Sequence, residues 1–319
     1  MTELAIPERP AVDPLDERRH APGPEQLWGE SWYFDFFAAD GSLGGWIRLG
    51  LYPNLGIAWY HAFVVGPDRP TVAVSDLEVP LPAAPGLEIR THGLWAEHIG
   101  THPLERWQLA NEAQAVAVDD PAELYRPGGP RGDLVPMGLD LEWETDGVPH
   151  HYGHTTRYEI PCHVHGEVLL GHERIELDGW GQRDHSWGVR DWWQFGWVWT
   201  AGRLDDGTRF HASDIRIPNL RVAFGYVQPP DGSVEAIGWP DPRDAAPATE
   251  ELGDEGLPTA AHIDIGGLDL AIDPVAFAPA LLIGPDGQVD RFPRALCRYR
   301  EAGGRTGLGW TEWNQPLLA

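Results

Sequence analysis

Apolar and polar residues alternate with a period of two along most of this chain, in runs too short for long helices. Ile57, Trp59, His61 and Phe63 alternate with Ala58, Tyr60, Ala62 and Val64. Bulky groups on both sides predict a strand buried on both faces, or one lining a ligand cavity. Val135, Met137, Leu139, Leu141 and Trp143 alternate with Asp140, Glu142 and Glu144, apolar inside and acidic outside. Tyr158, Ile160, Cys162 and Val164 oppose Arg157, Glu159, His163 and His165 in the same manner. Residues 103–120 are rich in Ala, Glu and Gln, which suits a helix, but the strands that bracket them predict a strand. Residues 120–133 predict a short helical turn followed by a Pro/Gly loop, and residues 240–258 a surface excursion.

Six Asp-Gly dipeptides, beginning at Asp40, Asp146, Asp178, Asp206, Asp231 and Asp286, punctuate these runs. Both residues tolerate positive φ, so each predicts a hairpin turn. A chain of 319 residues with 38 glycines and 30 prolines outgrows a single core. The expectation is an all-β, antiparallel protein in two halves: an extended arm over residues 1–24, a first unit over 25–175 and a second over 176–319.

The net charge of −26, without any Lys/Arg cluster, opposes binding to nucleic-acid phosphates or anionic lipid. Cys162 and Cys297 form neither a disulfide framework nor a metal-spaced pair. No apolar run approaches the roughly 18 to 20 residues of a membrane helix, and the N-terminus lacks a signal-peptide pattern. The expected setting is cytoplasmic and the expected partner a small lipophilic molecule.

Residues 179–203, GWGQRDHSWGVRDWWQFGWVWTAGR, concentrate the chemistry. Six of the sixteen tryptophans lie between Trp180 and Trp199, threaded with Arg183, Asp184, His185, Arg190 and Asp191. Tryptophan buries a large apolar area yet wants a partner for its N–H, so such a segment reads as a pocket wall. If extended, it places Trp193, Phe195, Trp197 and Trp199 on one face. Within it, GQRDHSWG resembles the signature of the carotenoid 1,2-hydratase-like (hydroxyneurosporene synthase, AttH-like) superfamily, matching at Gly181, Asp184, His185, Trp187 and Gly188. Glu30, Trp32 and Tyr33, Trp197 with Trp199, Gly202 and Arg203, and the Gly-Trp-x-Glu at residues 309–312 agree with that resemblance, and the RDHSWGVRDWW run is similar to bacterial members. It implies two tandem lipocalin-like (calycin) barrels or strongly curved sheets. Members of that superfamily include hydratases of isoprenoid double bonds, a phytoalexin hydratase, pericyclases and terpene cyclases.

Such chemistry needs a positioned proton donor and a wall for the cation. A carboxyl in an apolar, Trp-lined site is a suitable donor, and Asp184 and Asp191 are the candidates, with His185 to position water or relay the proton. Trp187, Trp192, Trp193, Trp197 and Trp199 offer π faces. Glu30, Trp32, Asn54, Trp59, Arg190 and His211 are further candidates for the binding site. Arg183 and Arg190 argue the other way, since a nearby guanidinium keeps a carboxylate ionised and reduces the segment to buried ion pairs in a core. Histidines at 150, 151 and 154, or the 163/165 pair with Glu167 and His211, raise metal binding. No phosphate loop or nucleophile elbow is present. The reading is a cofactor-independent hydratase or cyclase acting on a lipophilic molecule. The alternative is a non-catalytic carrier.

Overall fold

The computed structural model describes residues 12–153, 155–218, 220–238 and 247–317. The first part of the arm, His154 and residues 240–246 of the expected excursion lie outside them. Strands take 66% of the described residues and helix 3%, so the period-two pattern is realised almost throughout.

The first sheet contains β1 (Trp28–Ala38), β2 (Gly44–Tyr52), β3 (Ile57–Gly66), β4 (Arg69–Pro80), β5 (Glu88–Thr91), β6 (Leu94–His102), β7 (Arg106–Val118), β8 (Asp133–Thr145), β9 (His150–His151), β10 (Arg157–Leu170) and β11 (Glu173–Val189). Its order is β4-β3-β2-β1-β11-β10-β8-β7-β6-β5, and a further β4–β7 pairing closes eight of these strands into a barrel. Closure removes the exposed edges that an open sheet would present.

The second sheet contains β12 (Gly196–Leu204), β13 (Arg209–Ile217), β14 (Leu220–Gln228), β15 (Glu235–Gly238), β16 (Ala248–Leu252), β17 (Pro258–Ile265), β18 (Leu268–Phe277), β19 (Ala280–Ile283), β20 (Val289–Phe292), β21 (Arg294–Glu301) and β22 (Thr306–Pro316). It curls in the order β15-β14-β13-β12-β22-β21-β18-β17-β16, with the β19–β20 hairpin attached to β22.

Three apolar clusters result. One fills the first barrel, with Trp32, Phe34, Leu49, Tyr60, Ile160 and Trp143 among its members. Another fills the second, around Val198, Phe210, Ile263 and Trp313. The third lies in the seam between them and draws Tyr33, Trp46, Trp59 and Phe63 from the first sheet and Trp199, Phe292 and Trp310 from the second. The seam explains why β3 carries bulky residues on both faces: Ala58, Tyr60 and Ala62 face the barrel, while Trp59 and Phe63 face the other half. Indole N–H groups find acceptors across it. Trp46 Nε1 donates to the Ala278 carbonyl (3.1 Å) and Trp310 Nε1 to that of Phe36 (2.9 Å).

Several expectations need correction. The boundary drawn at 175/176 falls inside β11, whose residues 179–189 pair with β1. The sheets change only across residues 190–195. Asp178-Gly179 is not a turn but lies within β11. A Cβ on Gly179 would stand 2.1 Å from the Phe37 carbonyl, so glycine serves close strand approach there. From residue 12 on, the arm does not simply lie extended over the surface. After the 3-10 turn Pro14–Glu17 the Glu17 side chain is buried in the first barrel, bonded to Arg183 and Tyr158. Residues 248–252 and 258 onward belong to β16 and β17 rather than to a surface excursion.

Candidate functional site

Cross-strand partners project to the same side of a sheet, so the pairing registers build the site directly. On the seam side of the first barrel one lateral row reads Glu159, Asp184, Tyr33, Arg48, His61, Ser75 across β10, β11, β1, β2, β3 and β4. It forms a polar stripe across an otherwise apolar wall. The facing row on the second sheet reads Arg294, Glu312, Trp199, Ser213, Phe224 across β21, β22, β12, β13 and β14. Between the rows lies a cavity of about 390 Å³, lined from both halves and by the connecting residues Arg190, Asp191 and Trp192. A wider groove of about 840 Å³ along β18, β21 and β22 also carries charged groups, among them Asp205, Asp206, Arg298 and Arg300, but fewer aromatic residues, with Phe37, Trp180 and Tyr299 on its wall.

Asp184 is buried on the cavity wall. Its Oδ2 accepts from Arg157 Nη2 (2.9 Å), whereas Oδ1 makes no hydrogen bond among the described residues. Burial pushes its carboxyl up to about 6, with Glu159 and Glu312 adding to the rise, although Arg157 and Arg190 pull the other way. Arg157 also contacts Glu159 (2.7 Å), which accepts from Trp199 Nε1 (3.0 Å) and Gln182 Nε2 (2.8 Å). Opposite, Glu312 pairs with Arg294 (2.5 Å) and accepts from Trp197 Nε1 (2.8 Å). The Arg294 guanidinium sits 4.1 Å from the Tyr33 ring centre and 5.2 Å from that of Trp199. His61 bonds Ser75 (3.0 Å) and is held down at about 3 by burial, Arg48 and Arg294, so it is neutral.

Of the residues singled out from the sequence, Asp184, Asp191, Arg190, Trp59, Trp192, Trp197 and Trp199 line the cavity. Asp191 is exposed there and caps the backbone N–H of Trp193 (3.2 Å). The others lie elsewhere. His185 follows Asp184 on a strand and so points the opposite way, into the first barrel. There it stacks on Trp32 (4.5 Å between centroids) and bonds Glu30 (3.0 Å). Glu30 and Trp32 are therefore barrel residues as well. Trp187 stacks on His20 at 3.9 Å. Asn54 donates to the carbonyls of Gly23 (2.8 Å) and Glu25 (2.7 Å), outside the cavity. His211 lies behind the wall, bonded to the Tyr152 hydroxyl. Trp193 belongs to the connection before β12 and packs against Trp59 rather than sharing a strand face with Trp197 and Trp199. Arg183 turns into the barrel to meet Glu17 (2.7 Å), so the arginine beside Asp184 is Arg157.

Sequence reasoning missed Arg157, Arg48, Tyr33, His61 and Arg294 as site residues and took Glu312 only as the end of the Gly-Trp-x-Glu at residues 309–312. The alternation of β10 did put Arg157 and Glu159 on the face away from the barrel. What it could not show is that this face is covered by the other half.

Two clusters among the described residues bring three metal-capable groups together, His20/Glu30/His185 and Glu144/His163/His165, and neither lines the cavity. Glu167 pairs instead with Arg174 (2.7 Å), and His211 lies on the other sheet, so the ligand set raised for the 163/165 pair does not assemble.

No curated protein matches the chain by sequence. Among solved structures, an AttH-like protein from Nitrosomonas europaea is similar, with TM-score 0.64 and 14% identity over 95% of this chain and 97% of that one. Kievitone hydratase from Nectria haematococca follows at 0.59 and 13%, over 98% and 94%, and CghA at 0.56 and 12%, over 92% and 89%. What is shared is the fold, two large curled antiparallel sheets in tandem, consistent with lipocalin-like barrels. By sequence, residues 13–317 match a family described as a domain of unknown function, DUF7064, and to that family the chain belongs.

Proposed function

We propose that the protein is a cofactor-independent enzyme that takes a lipophilic small molecule into the seam cavity and protonates a carbon–carbon double bond from Asp184, leading to hydration or cyclisation. The carrying observation is a carboxyl raised to about 6 on an aromatic cavity wall with only one oxygen engaged. The proton leaves Asp184 for one alkene carbon, and Arg157 stabilises the carboxylate left behind. Trp192, Trp197 and Trp199 present π faces to the electron-poor carbon, each contributing about 0.5 to 2 kcal/mol. In a hydration, water adds to that carbon and its released proton restores the acid. Ser31 and Ser186, 3.3 Å apart on the same wall, are placed to hold that water. Kievitone hydratase, similar in fold, supports the reaction class by its name.

The test begins with mass spectrometry of the lipophile that co-purifies, followed by turnover of that compound. Asp184→Asn is expected to lower kcat by at least about 10²-fold, and wild-type kcat to fall as pH rises through 6. Unchanged turnover would remove Asp184 from the acid's role. The alternative is a carrier in which the Arg157–Asp184 pair only braces the wall; bound lipophile that is never converted by wild type would favour it.

A further inference from the structure

Of the guanidinium groups on the cavity wall, two are answered and two are not. Arg157 meets Asp184 and Glu159, and Arg294 meets Glu312. Arg48 and Arg190 make no ion pair among the described residues. Arg48 is buried and lies along β2 over Gly50, where an added Cβ would stand 2.5 Å from its Nη1. Its charge is 4.9 Å from the Trp192 ring centre, and ring contact alone is a weak substitute for a counter-ion. Arg190 enters from the connection between the sheets, anchored by its backbone N–H on the Leu27 carbonyl (3.0 Å). Its buried Nη2 has no hydrogen-bond partner among the described residues. Burial and the nearby positive charge of Arg157 and Arg48 hold the Arg190 guanidinium down at about 10, against the opposing pull of Asp184. Two mutually repelling cations without an ion-pair partner among the described residues are a costly arrangement that a ligand's charge would relieve.

We infer that Arg48 and Arg190 form a carboxylate clamp, so that the ligand of this cavity is an amphiphile with an acidic head between the two guanidinia and an apolar body along Trp192, Trp197 and Phe292. The inference rests on the seam cavity being the ligand site and narrows its substrate class. It also reconciles the cavity's positive charge with an electron-poor intermediate, because a bound carboxylate offsets the two unanswered cations. The global charge of −26 repels anions, so preference for an acid over its neutral analogue has to come from local groups.

The experiment titrates the full chain with farnesoic acid and with farnesol, which share an isoprenoid tail and differ in the head, following tryptophan fluorescence at pH 7.5. The expected result is at least tenfold tighter binding of the acid, an advantage that shrinks with added salt while farnesol binding does not. Arg48→Met and Arg190→Met each remove most of that advantage and leave farnesol affinity within about twofold. Gly50→Ala, which crowds Arg48 without removing charge, weakens the acid selectively. Equal binding of acid and alcohol by wild type overturns the clamp but leaves the Asp184 reading intact. Saturable binding of neither probe overturns the clamp together with the seam cavity as ligand site. An acid preference that survives the double variant Arg48→Met/Arg190→Met, with native circular dichroism, also overturns it.

Discussion

The two sides of β11 carry the same residue types to different ends. On the barrel side, Arg183 meets Glu17, which also accepts from Tyr158 (2.6 Å) and from Trp107. His185 bonds Glu30 and stacks on Trp32. Glu17 and Glu30 are both held below the usual carboxylate range by those partners, against the upward push of burial. On the seam side, among the described residues, Asp184 keeps one oxygen unbonded, its carboxyl is raised, and Arg48 and Arg190 make no ion pair. Both sides are buried, so burial does not separate them. What differs is how completely the charges are answered. On the barrel side each charge has an ion-pair partner, even though Arg183 Nε and Nη2 have no hydrogen-bond partner among the described residues; charges without such a partner in a cavity mark a place for a ligand.

The comparison breaks most visibly at Glu17. Glu17→Gln strands Arg183 in the barrel and is expected to cost about 3 to 5 kcal/mol, read as a lower denaturant midpoint; a loss under about 1 kcal/mol would deny the barrel side its structural role. Asp184→Asn should do the opposite. Its folded carboxyl titrates near 6, above the value of 3.8 for a free aspartate, so the folded state holds the proton longer and stability falls as pH rises from about 4 to about 6. Removing the acid removes that slope, which amounts to about 2 to 3 kcal/mol. Because Arg157 keeps Glu159, the variant should be at least as stable as wild type at pH 7 while losing turnover. Urea melts at pH 4 and pH 7 check both signs. Asp290, buried and raised to about 8, extends the same trend upward: Asp290→Asn should raise Tm at pH 9 relative to wild type by a few degrees and change little at pH 4. The smallest effect belongs to Asn54→Ala. It releases the segment before β1 from two hydrogen bonds at an exposed turn, costs about 1 kcal/mol and leaves ligand binding unaltered in the same fluorescence titration.

Strand content and the antiparallel halves were legible because alternation is a local property, and residues 179–203 stood out by aromatic density, which is local too. The partner of Asp184 was not. Arg183 precedes it in sequence and for that reason points to the other face, while Arg157 stands 27 positions away on the neighbouring strand. The same parity separates His185 from Asp184, so parity counting alone would have divided that pair. Whether the outward face of β10 meets water or another sheet depends on long-range packing that no period encodes. Trp193 failed for a related cause: its run reads as one strand, but the chain uses residues 190–195 to pass between sheets, with the Asn314 side chain donating to the Trp192 and Phe195 carbonyls (2.9 and 3.0 Å).

The aromatic seam also bears on how the chain is made and kept. Cut between the sheets, the first half would present Trp46, Trp59 and Phe63 to water and the second Trp199 and Trp310, a contiguous sticky surface on each piece. Fragments expressed singly should aggregate, while co-expressed fragments should reassemble. In the intact chain the two barrels should lose structure in one calorimetric transition, because neither retains a solvent-compatible surface once its neighbour has gone.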